Sequence, residues 1–254
     1  KQDNLWIGGN VGLLKFTERK INYFAASEDK IAIGTSAITE AADKSVWVAN
    51  GQFLLHWQNG VFKTFSVPPK ANYFTSLAAD KNNNLWVTTF DGIYKFENNK
   101  LIKSVIKDKG QISPIFIDRE GNFWFAERPF GLFEYQNGEI KKYDTKDGLA
   151  NEWVSYITQD KRGAIWIGTK GGLSKLENGK FTNYTTNNGL VNENVRDVFE
   201  DEEGAIWIGT YGGGISRLKD GKIVSITSAN GLAEDIASRI LIDDYGFFWI
   251  LGNK

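Results

Sequence analysis

Cysteine and methionine are absent from this chain, and histidine occurs once, at position 56. Without cysteine there is no disulfide, no thiolate metal site and no cysteine nucleophile. A single histidine excludes a multi-histidine metal centre, and a Ser-His-Asp arrangement would have to use His56. An excess of one charge is missing too: 30 Lys and Arg stand against 31 Asp and Glu. A nucleic-acid binder usually gathers a basic surplus on one face, so binding of nucleic acid is not expected. The densest lysine run (Lys100, Lys103, Lys107, Lys109) reads as a solubilised outer edge strand. No apolar run approaches the roughly 18 residues of a membrane helix. The opening KQDNLWIGGN is no signal peptide. With no initiator methionine, the 254 residues read as a processed or excised piece of a longer chain.

What the chain has in quantity is glycine, at 27 residues against only 4 prolines, and aromatics at 14%. These are distributed in a repeat. GAIWIGTKGGLSKLENGKFTNY begins at Gly163 and GAIWIGTYGGGISRLKDGKIVSI at Gly204. Anchored on the tryptophan, the phrase recurs at Trp6, Trp47, Trp86, Trp124, Trp166, Trp207 and Trp249, spaced by 41, 39, 38, 42, 41 and 42 residues. Such a period is shared by helical and β repeats, so the pattern inside it decides the architecture. In the fifth copy, WVSYITQD, AIWIGT, LSKLENG and KFTNYTT are four short β-rich runs, each closed by Gly, Asn or Asp. No helical periodicity of ten or more residues appears. Four short antiparallel strands per forty residues make a propeller blade.

The expected fold is therefore all-β: a β-propeller of four-stranded antiparallel blades, forming a single domain over 1–254. Seven blades are represented. The first lacks its inner strand and the last its outer two, which again points to a longer parent. The first two strands of a blade are joined by D-x-x-G at Asp118–Gly121, Asp160–Gly163, Asp201–Gly204 and Asp243–Gly246. There Asp can accept a backbone N–H and Gly can take a positive φ. Asp80 with Asn83 is a variant, and the second copy has Ala41 at the aligned position with Asp43 inside the turn. The seven blade tryptophans are expected to fill the space between adjacent sheets. Trp57 replaces a third-strand leucine and reads as core.

The consensus NGLxxNxVxxIxxDxxGxIWIGTxxGGLSxLxxGxFxxY resembles the two-component regulator propeller repeat. It is close over Gly148–Tyr184 and Gly189–Leu218, and weaker in copies two to four, where GTxGGL becomes ANGQFLL, TTFDGIY and AERPFGLF. The resemblance implies a sensor region of a bacterial hybrid histidine kinase-type regulator. Such a region is periplasmic or otherwise extracytoplasmic, carried by a membrane-anchored parent that holds the signalling output and can form a homodimer. The fragment itself is then not an enzyme.

Candidate binding residues are those that vary while the scaffold repeats. On a propeller, the loops entering the inner strand and those joining the second and third strands open on one face. Thirteen residues before the blade tryptophan stand Tyr73, Trp153 and Asn194. Ten before it stand Tyr156, Asp197 and Arg239, and one position earlier Ser155, Arg196 and Ser238. After the tryptophan come Arg128, Lys170 and Tyr211. From these, Trp153, Tyr156, Tyr73, Arg128, Arg196, Asp197, Tyr211 and Arg239 are taken as a channel-mouth set. Aromatics stack on sugar rings, and Arg and Asp fix polar groups, so an oligosaccharide or other polar small molecule is the expected ligand. A protein-interaction platform is the alternative.

Enzyme readings are weaker. DREGNFWFAE (Asp118–Glu127) resembles the repeat of propeller lyases that open cyclic peptide antibiotics, but such a lyase needs a histidine base. A glycosidase needs two carboxylates across a glycosidic bond, and nothing in the sequence pairs Glu127 with Asp197 for that role. Gly212–Gly214 lacks the following helix of a phosphate loop. No cofactor or metal site is indicated.

Overall fold

The computed structural model describes residues 5–9, 12–17, 20–25, 35–50, 53–66, 74–90, 92–104, 112–242 and 246–252. They fall into two compact units, Lys1–Ile117 and Asp118–Lys254. The first opens with a three-stranded meander of β1 (Leu5–Gly9), β2 (Gly12–Thr17) and β3 (Lys20–Ala25). Two complete four-stranded sheets follow. One is β4 (Thr35–Glu40), β5 (Val46–Asn50), β6 (Phe53–Gln58) and β7 (Val61–Ser66). The other is β8 (Phe74–Ala79), β9 (Leu85–Thr89), β10 (Gly92–Glu97) and β11 (Lys100–Lys103). The last strand of this unit is β12 (Ile112–Ile117).

The second unit begins with β13 (Phe123–Glu127), β14 (Gly131–Gln136) and β15 (Glu139–Tyr143), paired antiparallel in that order. Two complete sheets follow. The first is β16 (Val154–Gln159), β17 (Ile165–Thr169), β18 (Gly172–Glu177) and β19 (Lys180–Tyr184). The second is β20 (Val195–Glu200), β21 (Ile206–Thr210), β22 (Ile215–Lys219) and β23 (Lys222–Ile226). The unit closes with the pair β24 (Arg239–Ile242) and β25 (Phe248–Leu251). The chain is an all-β propeller of four-stranded antiparallel blades, as the repeat predicts. Of the lysine run, Lys100 and Lys103 lie on β11, an outer edge strand, and Lys107 and Lys109 lie outside the described residues.

The recurring phrase has a recurring job. In the D-x-x-G turns at Asp118, Asp160 and Asp201 the Asp closes the turn and also grips the blade tryptophan. Asp160 accepts the amides of Arg162 and Ala164 at 2.9 Å through one oxygen and the Trp166 indole at 2.8 Å through the other. Trp124 on Asp118 and Trp207 on Asp201 repeat the bond at 2.8 Å. Where Ala41 replaces the Asp, Asp43 accepts the Ser45 amide at 3.0 Å instead, and Lys44 takes the glycine position at φ 67°. The tryptophans then fill the gap to the next sheet. Trp166 and Leu173 pack on Leu190, Val195, Val198 and Ile208 of the following blade. Trp47 and Leu54 pack likewise on Phe74, Leu77 and Val87.

In several blades the third-strand residue opposite the tryptophan lies over its ring. Lys175 lies over Trp166 at 5.7 Å and Arg217 over Trp207 at 5.6 Å, contacts that add a modest cation–π attraction. At this register the second blade has His56, stacked on Trp47 at 4.1 Å. Trp249 departs from the expectation. It is 38% exposed, on the described pair β24 and β25. Trp6 lies on β1, and its side chain falls outside the described residues.

Candidate functional site

The inner strand of the complete blades carries a β-bulge. The register slips between Thr35 and Ala37, Phe74 and Ser76, Val154 and Tyr156, and Val195 and Asp197. The bulged residues are thus Ser36, Thr75, Ser155 and Arg196. A bulge leaves one residue out of the ladder and re-aims its side chain. With a small hydroxyl there, the side chain stitches strands. Thr75 Oγ1 donates to the Ile112 carbonyl on the next inner strand at 2.7 Å. Ser155 Oγ lies 2.5 Å from the Val195 carbonyl on the following blade, and Ser36 Oγ donates to Ala49 of its own sheet at 3.2 Å. Arg196 breaks the series. Its buried Nε has no hydrogen-bond partner, and its guanidinium lies 5.1 Å over the Tyr211 ring.

Arg196 opens on a cavity of about 360 Å³ lined by Arg128, Ser155, Arg196, Tyr211 and Ser238. All five are in the second unit. Arg128 follows β13, and Tyr211 follows β21 at the same distance from its blade tryptophan; both sit on turns joining second to third strands. Ser155 and Arg196 are the bulge residues of two successive blades, and Ser238 precedes β24 at the equivalent sequence position. Arg128 is anchored by one bond, Nε to the Val154 carbonyl at 3.1 Å. Burial, with the nearby charge of Arg196, holds its guanidinium below the ordinary value. Three of the expected residues therefore converge: Arg128, Arg196 and Tyr211.

Three others converge elsewhere. Tyr156, Asp197 and Arg239 occupy one register position in successive blades and form a closed ladder. Asp197 is 1% exposed. It accepts Arg239 Nη1 at 2.9 Å and the Ile240 amide at 2.6 Å, while the Arg239 guanidinium lies 5.0 Å over the Tyr156 ring. Burial pushes the Asp197 carboxyl above the usual range, with Arg239 and the Ile240 amide pulling it back. These three bind one another across the blades and do not line the cavity.

Trp153 is 37% exposed, but the Lys170 ammonium sits 3.7 Å over its ring, so one stacking face is taken. Tyr73 lies outside the described residues. Ser155 and Ser238 were not in the expected set. The signal that finds them is the position eleven residues before the blade tryptophan, which reads Ser or Thr in every copy with an inner strand except where it reads Arg196.

Among the enzyme readings, His56 is engaged with Trp47, and burial pushes its imidazole below the usual range, partly against the attraction of Asp43. Asp197 is tied to Arg239, and Glu127 ends β13 with 8% exposure. No group of three metal-ligating side chains occurs among the described residues.

The two-component regulator propeller repeat matches residues 68–91, 148–171 and 189–212. The chain carries two-component regulator propeller repeats. The second and third matches cover both the Ser155 and Arg196 bulges and their blade tryptophans. Among solved structures, a streptogramin B lyase aligns with a TM-score of 0.78 at 16% identity over 97% of this chain and 86% of that one. Virginiamycin B lyase from Staphylococcus aureus aligns at 0.73 and 16% identity, over 89% and 81%. The extracellular domain assigned to hybrid two component system BT3049 from B. thetaiotaomicron aligns at 0.55 and 21% identity. It covers 97% of this chain and 41% of that one. These likenesses establish the propeller fold. A sequence search of curated proteins finds no match. No helix among the described residues is long and apolar enough to cross a membrane.

Proposed function

We propose that this chain is a ligand-sensing propeller from the extracytoplasmic region of a two-component regulator, and that it binds a polar small molecule without turning it over. The observation that carries the reading is the conjunction of regulator repeats with one cavity where the scaffold rule is broken. Repeat residues make blades. Arg128, Arg196 and Tyr211 are surplus to that task and face a concavity of ligand size. The likeness to a two-component extracellular domain supports the placement outside the cytoplasm. In such a parent, a ligand acts by binding one signalling arrangement better than another.

The test has two arms. The parent reading frame is expected to encode an export signal before these residues and a membrane helix with a signalling output after them. A stop after the last blade, with no membrane segment, would leave a freestanding binding propeller. The second arm is a thermal-shift panel of polar small molecules against the chain. A flat response, with capture of a protein partner, would favour the interaction platform.

A lyase reading draws on the solved lyases of similar fold. Against it, the single histidine of this chain fills the third-strand position over a blade tryptophan. A lyase assay on His56→Gln separates the two.

A further inference from the structure

The cavity holds two positive charges that nothing in the described structure neutralises. Other well-placed arginines of the second unit are spoken for. Arg217 pairs with Glu203 at 3.1 Å and Arg239 with Asp197 at 2.9 Å. Arg119 donates to Gln159 and to the carbonyls of Asp160 and Lys161. Arg128 and Arg196 form no ion pair among the described residues, and no carboxylate lines their cavity. Of the acidic residues adjacent to them in sequence, Glu127 is 8% exposed and does not line the cavity, and Asp197 is turned to Arg239 and the Ile240 amide.

Such a pair is costly to keep. Two like charges in a partly enclosed site repel, and burial removes the water that would screen them. A buried guanidinium N–H without a partner adds a desolvation penalty. At the same bulge position a hydroxyl gains an inter-strand bond, as Thr75 and Ser155 do. Arginine at 196 gives up that bond and gains none in exchange. Guanidinium groups present planar forks of donors that match the paired oxygens of carboxylate, sulfate and phosphate.

We propose that the cavity between Arg128 and Arg196 is an oxyanion site, which receives the carboxylate, sulfate or phosphate group of a small molecule. The claim deepens the sensor reading by naming the chemistry of the ligand, and rests on that reading only for its signalling consequence. Arg128 keeps its Nε on the Val154 carbonyl, which leaves its terminal nitrogens for the anion. Arg196 offers its terminal nitrogens while its plane rests on Tyr211. The Ser238 and Tyr211 hydroxyls flank the same space and can bond the neutral part of the ligand. At about 360 Å³ the space takes one ring-sized unit, with the anion at its inner end.

The experiment is calorimetric titration of the chain with sodium glucuronate, sodium sulfate and sodium phosphate at fixed ionic strength, with glucose and sodium chloride as controls. The expected result is saturable binding of at least one oxyanion, none of chloride, and glucose weaker than glucuronate by tenfold or more. Arg196→Met and Arg128→Met are each expected to weaken the oxyanion tenfold or more. Arg196→Lys, which keeps the charge but loses the fork, falls in between. Arg162→Met, on an exposed turn, leaves binding unchanged, and circular dichroism checks that each variant is folded. A preference for glucuronate assigns the group as a carboxylate; a preference for sulfate or phosphate assigns a tetrahedral anion.

No binding of any of the three, or equal loss in Arg162→Met, overturns the proposal. Tight binding of glucose that survives Arg196→Met also overturns it, yet leaves the sensor reading standing. Oxyanion binding in a chain whose parent reading frame carries no signalling output would do the reverse.

Discussion

Replacing Trp166 with alanine tests how one blade is held on the next. The indole is 4% exposed and packs on Leu190, Val195, Val198 and Ile208 of the following blade. Tyr184 stacks on it at 5.8 Å, and its Nε1 donates to Asp160 at 2.8 Å. An aromatic of this kind buries roughly 200 Å², worth about 5 kcal/mol at about 25 cal/mol per Å², an upper estimate. Core aromatic truncations fall at about 3–5 kcal/mol, which for a chain of this length is a melting shift on the order of 10 °C. Trp166→Phe separates the two contributions. It keeps most of the apolar contact but removes the donor to a carboxylate, a bond worth about 1.5–3 kcal/mol. Urea unfolding followed by circular dichroism should rank wild type above Trp166→Phe and Trp166→Phe above Trp166→Ala. An alanine variant melting within about 2 °C of wild type would refute the inter-blade placement. A phenylalanine variant equal to wild type would refute the stabilising role of the indole–carboxylate bond.

Arg239→Ala strands the Asp197 carboxylate, 1% exposed, and should cost about 3–5 kcal/mol in the same unfolding assay. Asp197→Asn in that background should recover part of the loss, and no recovery would contradict the ladder. Burial alone would raise the Asp201 carboxyl, but the Trp207 indole, the amides of Ala205 and Glu203, and Arg217 together hold it below the ordinary range. A folded pKa below the unfolded one gives stability that is present above about pH 4 and lost as pH falls through the folded value. Asp201→Asn should therefore flatten the acid limb of a stability-against-pH curve, and an unchanged limb would count against it. Gly172, at φ 118°, has no room for a Cβ, which would meet the Tyr184 carbonyl at 2.5 Å. Gly172→Ala should lower the melting temperature, whereas the same change at Gly179, with open space around it, should cost far less.

The sequence made the blades readable because their constraint repeats. Tryptophan spacing, D-x-x-G turns and four short runs per period each express a local rule, and local rules survive as spacing. Ala41 with Asp43 was readable for the same reason. What spacing does not carry is which side of the sheet a residue faces once the ladder slips. The bulge puts Arg196 into the cavity and leaves its neighbour Asp197 in the ladder with Tyr156 and Arg239, although adjacent positions look equally exposed on paper. Trp153 shows the same limit, since only the fold brings Lys170 over its ring.

The inner-strand bulge has a consequence for how such a propeller changes its chemistry. Each of the four bulged blades offers one side chain that the β ladder does not need, and at three of them it is a hydroxyl bonded to a strand carbonyl. Exchanging it forfeits the hydrogen bonds of one side chain, about 1 kcal/mol each, beside whatever the new side chain costs in desolvation, and removes no tryptophan. New ligand contacts can thus be written into one blade without rewriting its neighbours. A series in which Ser155 becomes Arg and Arg196 becomes Ser would move the charge by one blade on an unchanged frame. The same scaffold can in this way serve as a set of addressable positions, each set by a single codon.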